Sequence, residues 1–178
     1  MDTTETTAKG DIRGADKKEA FHEAAEAKVK TFKFEVPEIE TKFGQKMHVR
    51  LAGTDSCRAT VQVLRDGSEN NLHYHPNMDL IWMVLKGRVR FYGPKDIVRG
   101  ELGPLEGILQ PENSRYWFEP CDGEEAWLLQ IAGFPKGAKA AKRIDVDPPK
   151  KNMGNSVHIG LTPDEQPPLA ARFGSTKG

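Results

Sequence analysis

The sequence is short of the features that most readily announce a function. Among 178 residues there are two cysteines, Cys57 and Cys121, too few for a disulfide framework and without the paired spacing of a zinc knuckle. A surplus of one charge is missing. The 26 Lys and Arg balance the 26 Asp and Glu, which argues against a surface built to hold nucleic acid. No run approaches about 18 apolar residues, so no membrane span is expected. The first thirty residues lack the apolar stretch of a secretory signal. There is no Gly-rich phosphate loop, no G-x-S-x-G elbow and no His-Glu-x-x-His. Ser, Cys and His are too scattered to argue for a nucleophilic triad. The expectation is a soluble, cytoplasmic protein whose partner is a small molecule, not nucleic acid or membrane.

What is present falls into three stretches. Residues 1–31 are polar and charged. Within them 15–30 is rich in Ala, Glu and Lys and predicts one helix, capped by Asp16 with Glu19 completing a loose capping box. Its apolar face is thin (Ala20, Phe21, Ala24, Ala25, Val29), which suits either a docked helix or a partly disordered arm. Residues 32–147 are short and alternating. Strands are predicted at 32–36, 47–51, 58–64, 80–85, 88–92, 107–110, 116–119 and 126–132. Turn signals such as Asp66-Gly67, Lys86-Gly87 and Asp122-Gly123 separate them. Many short strands between glycine turns mean an all-β sandwich or barrel. Residues 148–178 carry Pro148, Pro149, Pro163, Pro167 and Pro168 and predict an irregular tail. The basic run 136–151 before and into it reads as a solvated face.

The segment 67–93 carries the chemistry. His73 and His75 stand at i and i+2, so on a strand both imidazoles leave the same face. Two neutral imidazoles side by side are half of a first-row metal site, or else a pair of surface histidines. The segment resembles the first motif of the cupin superfamily, in which G-x5-H-x-H is followed by a glutamate and a glycine. Gly67, His73 and His75 match, and the run Trp82, Val84, Leu85, Gly87, Phe91 is similar. Residues 109–118 resemble the second motif, with Pro111 in place, Asn113 for its glycine and Tyr116 at the position of its histidine ligand. The likeness spans residues 55–135.

The resemblance implies a cupin-type double-stranded β-helix (jelly-roll) barrel over 32–147, with a helix or arm at 1–31 and the irregular tail at 148–178. It implies a mononuclear divalent transition metal (Fe, Mn, Ni or Zn), a small organic substrate and an Fe- or Mn-dependent dioxygenase. A non-catalytic small-molecule binder and a metal-free isomerase or cyclase are the alternatives left open by the altered motifs. Pairing through sheet edges and N-terminal segments, common in the family, implies a homodimer.

Metal ligands expected on that basis are His73, His75, Asp79 and Tyr116. Asp79 stands at the glutamate position counting forward from His75, whereas Leu80 holds it counting back from Gly87. A one-residue slip turns a strand side chain to the opposite face, so Asp79 is either an inward ligand or a solvent-facing residue. Tyr116 is either a ligand or a catalytic proton donor. Gln62, His48 and Gln110 are further candidates to complete a coordination shell. By parity Trp82, Phe118 and Tyr116 line a pocket, with Gln62, Trp82 and Phe118 as substrate contacts. Arg58 and Arg115 are of the type that clamps a carboxylate. His22 and His158 lie in terminal segments and are set aside.

Overall fold

The structure is a computed structural model that describes residues 9–135, 143–148 and 156–160, without the side chains of 9–16. The chain divides into two compact units, 1–32 and 33–178. The first holds the helix α1 (Lys9–Glu26). It starts earlier than the composition predicts and takes Asp16 into its interior instead of using it as a cap. Two glycines, Gly10 and Gly14, each cost the helix about 1 kcal/mol. The Lys, Arg, Ala and Glu around them carry it through. From Lys17 onward its side chains are exposed, Phe21 included.

The second unit is all-β. Its strands are β1 (Met47–Gly53), β2 (Cys57–Leu64), β3 (His73–Tyr74), β4 (Asp79–Lys86), β5 (Val89–Tyr92), β6 (Val98–Leu102), β7 (Gly107–Gln110), β8 (Trp117–Pro120), β9 (Ala126–Gly133), β10 (Ile144–Asp145) and β11 (Val157–Ile159). Six of them form one sheet in the order β11-β1-β2-β9-β4-β7; β6-β5-β8 form a second sheet and β10-β3 a small ladder. All pairings are antiparallel except β1 with β11. No helix among the described residues is long and apolar enough to cross a membrane.

The predicted strands from residue 47 onward are present, and 32–36 is not one of them. Alternation let that segment cover a sheet face without pairing to an edge: Phe34 lies edge-on against Trp127, ring centroids 5.2 Å apart. Expectation also fails in the tail. Val157–Ile159 runs parallel to β1, with His158 opposite His48. A three-residue strand between proline-rich stretches carries too little pattern to be read from sequence, yet it covers the edge that β1 would otherwise expose.

The interior follows the period of two. Leu80, Trp82 and Val84 of β4 are buried while Ile81 and Met83 face out. Trp82 meets Phe118 of β8 at 5.2 Å, and Phe118 meets Phe91 of β5 at 5.2 Å, so aromatics of the two larger sheets fill the space between them. Full burial of a large apolar side chain is worth roughly 1.5–3 kcal/mol. On the outside of the three-stranded sheet Tyr92 stacks on Trp117 at 3.9 Å, and the Trp117 indole donates to Asp96 Oδ1 at 2.9 Å. Gly67 has φ +75°, and a Cβ there would stand 2.5 Å from the Phe43 ring, which explains glycine at the head of the histidine loop.

Candidate functional site

Two histidines reach the interior because the loop after Gly67 is laced to β8. Asn70 N donates to Phe118 O at 3.2 Å, and Phe118 N returns a bond to Asn70 Oδ1 at 2.7 Å. His73 N donates to Tyr116 O at 3.1 Å, and Tyr116 N donates to His73 O at 3.0 Å. This two-way bridge fixes His73 against Tyr116, ring centroids 4.5 Å apart. His75 lies 5.1 Å from His73 with its ring perpendicular, at 89°. Both histidines, Tyr116, Trp82, Phe118, Gln62 and His48 line one cavity of about 280 Å³.

The backbone settles the tautomer of His73. Its Nδ1 lies 2.8 Å from Asn71 O, and a carbonyl oxygen only accepts, so Nδ1 carries the proton. The lone pair is then on Nε2. Burial, followed by the Arg143 guanidinium, lowers the His73 pKa to about 3, so the ring is neutral. Burial also holds His48 well below its usual range, helped by His158, Lys46, Arg58 and Arg143. His48 stacks on His158 at 4.8 Å. The Tyr116 phenol is pushed up by burial, against the opposing effect of Arg143, and stays protonated. Tyr116 OH, Trp82 Nε1, Gln62 Oε1 and His48 Nε2 are buried without a hydrogen-bond partner among the described residues.

Three cationic side chains complete the lining: Lys46, Arg58 and Arg143. Lys46 precedes β1 and shares the inward face of His48. It is 6% exposed, and its amine stands 5.2 Å over the Phe118 ring centroid. Burial, followed by Arg143, lowers its pKa to about 7, with Glu69 opposing. Arg143 belongs to the run expected to be a solvated face. The β10-β3 ladder pulls it in, its Nε donates to Asp145 Oδ1 at 2.7 Å and its Nη2 to Asn71 Oδ1. No carboxylate side chain is among the described lining residues.

Other sequence candidates lie elsewhere. Asp79 is exposed and its Oδ1 accepts from Glu112 N at 2.9 Å, while Leu80, 1% exposed, takes the inward position. The count back from Gly87 is therefore the one the strand obeys, and Asp79 leaves the ligand set. Gln110 accepts from Ser114 Oγ at 2.8 Å and, with Arg115, faces a different surface hollow. His158, set aside as terminal, stands beside the cavity wall. Lys46 was readable, since it lies two residues before His48 on the same face. Arg143 was not, because nothing in a basic run marks the residue that turns inward.

The donor set does not fit a resident divalent metal. Among the described residues no group of three His, Cys, Asp or Glu converges. Two imidazoles remain, beside a phenol that holds its proton, and a divalent ion gains too little from two nitrogens. It would also meet the Arg58 and Arg143 guanidinium groups in a cavity whose described lining offers no carboxylate ligand.

No protein-family model matches the chain, and no curated protein resembles it in sequence. Solved structures resemble it in shape. An uncharacterized conserved protein with a double-stranded β-helix domain from Klebsiella pneumoniae superposes with a TM-score of 0.51 at 16% identity, over 60% of this chain and 84% of that one. An RmlC-like cupin family protein from Methanocaldococcus jannaschii (TM-score 0.48, 16% identity, 61% and 92%) and a cupin superfamily protein from Desulfitobacterium hafniense (0.48, 19%, 60% and 98%) are also similar. The first likeness, with the two facing sheets, shows the fold.

Proposed function

We propose that this chain, a cupin-type double-stranded β-helix, binds a small organic carboxylate and moves a proton on it without a metal. The observation that carries the reading is the convergence of Lys46, Arg58 and Arg143 on a cavity whose described lining has no carboxylate. Guanidinium groups pair with a carboxylate through two parallel hydrogen bonds, and they do so most strongly where water is scarce. About 280 Å³ suits a ligand of modest size. The aromatic wall of Trp82 and Phe118 offers its apolar part a surface.

Proton transfer needs a donor and an acceptor on the same substrate. Tyr116 supplies a neutral phenol, and the fixed tautomer of His73 supplies the Nε2 lone pair. A bound anion opposes the influence of Arg143 on His73 and raises its proton affinity towards the working range. The base therefore strengthens when substrate is present. An isomerase or cyclase is the reaction class that fits.

Thermal melting in the presence of a chelator tests this. Small carboxylates should raise the melting temperature, and their uncharged primary amides should not. The effect should shrink as salt rises, and Arg143→Gln should weaken binding about tenfold or more, the loss of one charge-assisted bond. Stabilisation that appears only after a divalent metal is added would overturn the reading in favour of a metal-dependent oxygenase.

A further inference from the structure

We propose that Lys46 forms a Schiff base with an oxo acid bound in this cavity, making it the covalent residue of the site. The inference rests on the carboxylate reading above. A lysine that only attracts anions has no need to be buried, since its stem normally carries the ammonium out to water. Lys46 does the opposite: it is 6% exposed, it lines the cavity, and its amine lies over the face of Phe118. It makes no ion pair with a carboxylate among the described residues, and two guanidinium groups share the space. An amine in such surroundings gives up its proton readily, and the lowering of its pKa to about 7 agrees. A neutral amine is a nucleophile for carbonyl carbon; an ammonium is not.

The backbone holds the residue in place from both sides. Lys46 O accepts from Val157 N at 2.9 Å, and β1 continues directly from Met47. The chemistry balances without an oxidant. The Lys46 Nζ lone pair attacks the keto carbon and a C–N bond forms while the C=O π pair moves to oxygen. That oxygen takes a proton and the nitrogen loses one to give a carbinolamine; a second proton, taken from solvent on the hydroxyl, lets it leave as water while the nitrogen lone pair closes a protonated imine. The carboxylate next to the keto carbon is the group that Arg58 and Arg143 recognise. Once formed, the imine withdraws electrons and makes the neighbouring C–H acidic, which gives the His73 lone pair a proton to accept.

Trapping decides it. The full-length protein is incubated with pyruvate and sodium cyanoborohydride, then digested and sequenced by mass spectrometry. The expected result is one reduced pyruvate adduct on Lys46, at least tenfold above any other lysine. Lys46→Arg, which keeps the charge, should bind pyruvate in the melting assay and trap none. Pyruvate binding by the unaltered protein with no adduct on Lys46 overturns the Schiff base and leaves the carboxylate reading intact. Absence of any carboxylate binding removes the carboxylate reading first. Labelling spread evenly over exposed lysines shows ordinary surface amination and equally overturns the proposal. Lys46→Met separates folding from chemistry, since it keeps the apolar stem against Phe118.

Discussion

One interior holds two regions of opposite character. Around Phe91, Phe118, Leu80 and Val84 it is filled and aromatic, its side-chain polar atoms being the Trp82 indole nitrogen and the Tyr116 hydroxyl. Around His48, Gln62, His73 and Lys46 it is hollow, and several buried polar atoms have no partner among the described residues. The same strands supply both, for Trp82 and Phe118 stand at the boundary. The filled region is what a β-sandwich needs to be stable. The hollow one costs stability, because each buried unpartnered polar group forfeits about 1–3 kcal/mol of hydration. Such a concentration of unmet polar groups is the usual mark of a binding site.

Substitutions on either side sharpen the contrast. Trp82→Ala should have the largest effect, a loss of about 3–5 kcal/mol in urea unfolding, since it empties the seam between the sheets. A loss under about 1 kcal/mol would mean that the filled region is not the source of stability.

Acid comes next. His73 titrates near 6.5 when unfolded and near 3 when folded, so between those values the unfolded chain holds the extra proton. Its contribution is fully present above pH 6.5 and lost as pH falls towards 3. Unfolding free energy should drop by up to about 1.4 kcal/mol per pH unit for this one ring. His48, depressed in the same way, adds to the fall. His73→Asn should flatten the profile between pH 6.5 and 4.5; an unchanged slope would show that the ring is hydrated.

The smallest expected effect has the opposite sign. Tyr116→Phe removes a buried hydroxyl without a hydrogen-bond partner among the described residues and should raise stability by about 1 kcal/mol in urea while abolishing the proposed proton transfer. Destabilisation of that size would mean the hydroxyl is bonded after all.

Parity made much of the filled region legible. The motif count back from Gly87 put Leu80 inside and the period of two added Trp82 and Val84, and the same period put Tyr116 and Phe118 together and Trp117 outside. The hollow region was legible in part. His73, His75 and Tyr116 were placed together from motif and strand period, Gln62 was named only as a candidate beside them, and all four line one cavity. Its charge was legible in part: Arg58 was a named candidate and Lys46 stands two residues before His48, whereas Arg143 gave no signal. Arg143 is drawn in by a two-residue ladder and β11 by a three-residue one, and pairings so short leave no hydrophobic period to count. Asp79 failed for the reverse reason: two counts disagreed by one, and only the register of β4 with β9 decides between them.

The pairing of β1 with β11 has a consequence for how the protein comes into being. A chain emerging from the ribosome as far as Gly133 already contains the partners of both larger sheets save one edge strand. It still lacks Arg143 and the segment that tethers the carbonyl of Lys46. Contacts between such distant parts of the sequence form late, because closing the intervening loop is entropically expensive. The nascent pair of sheets therefore acquires its aromatic seam before its charged hollow. Competence to bind the proposed ligand then arrives only once the stretch from Arg143 to Val157 has been added.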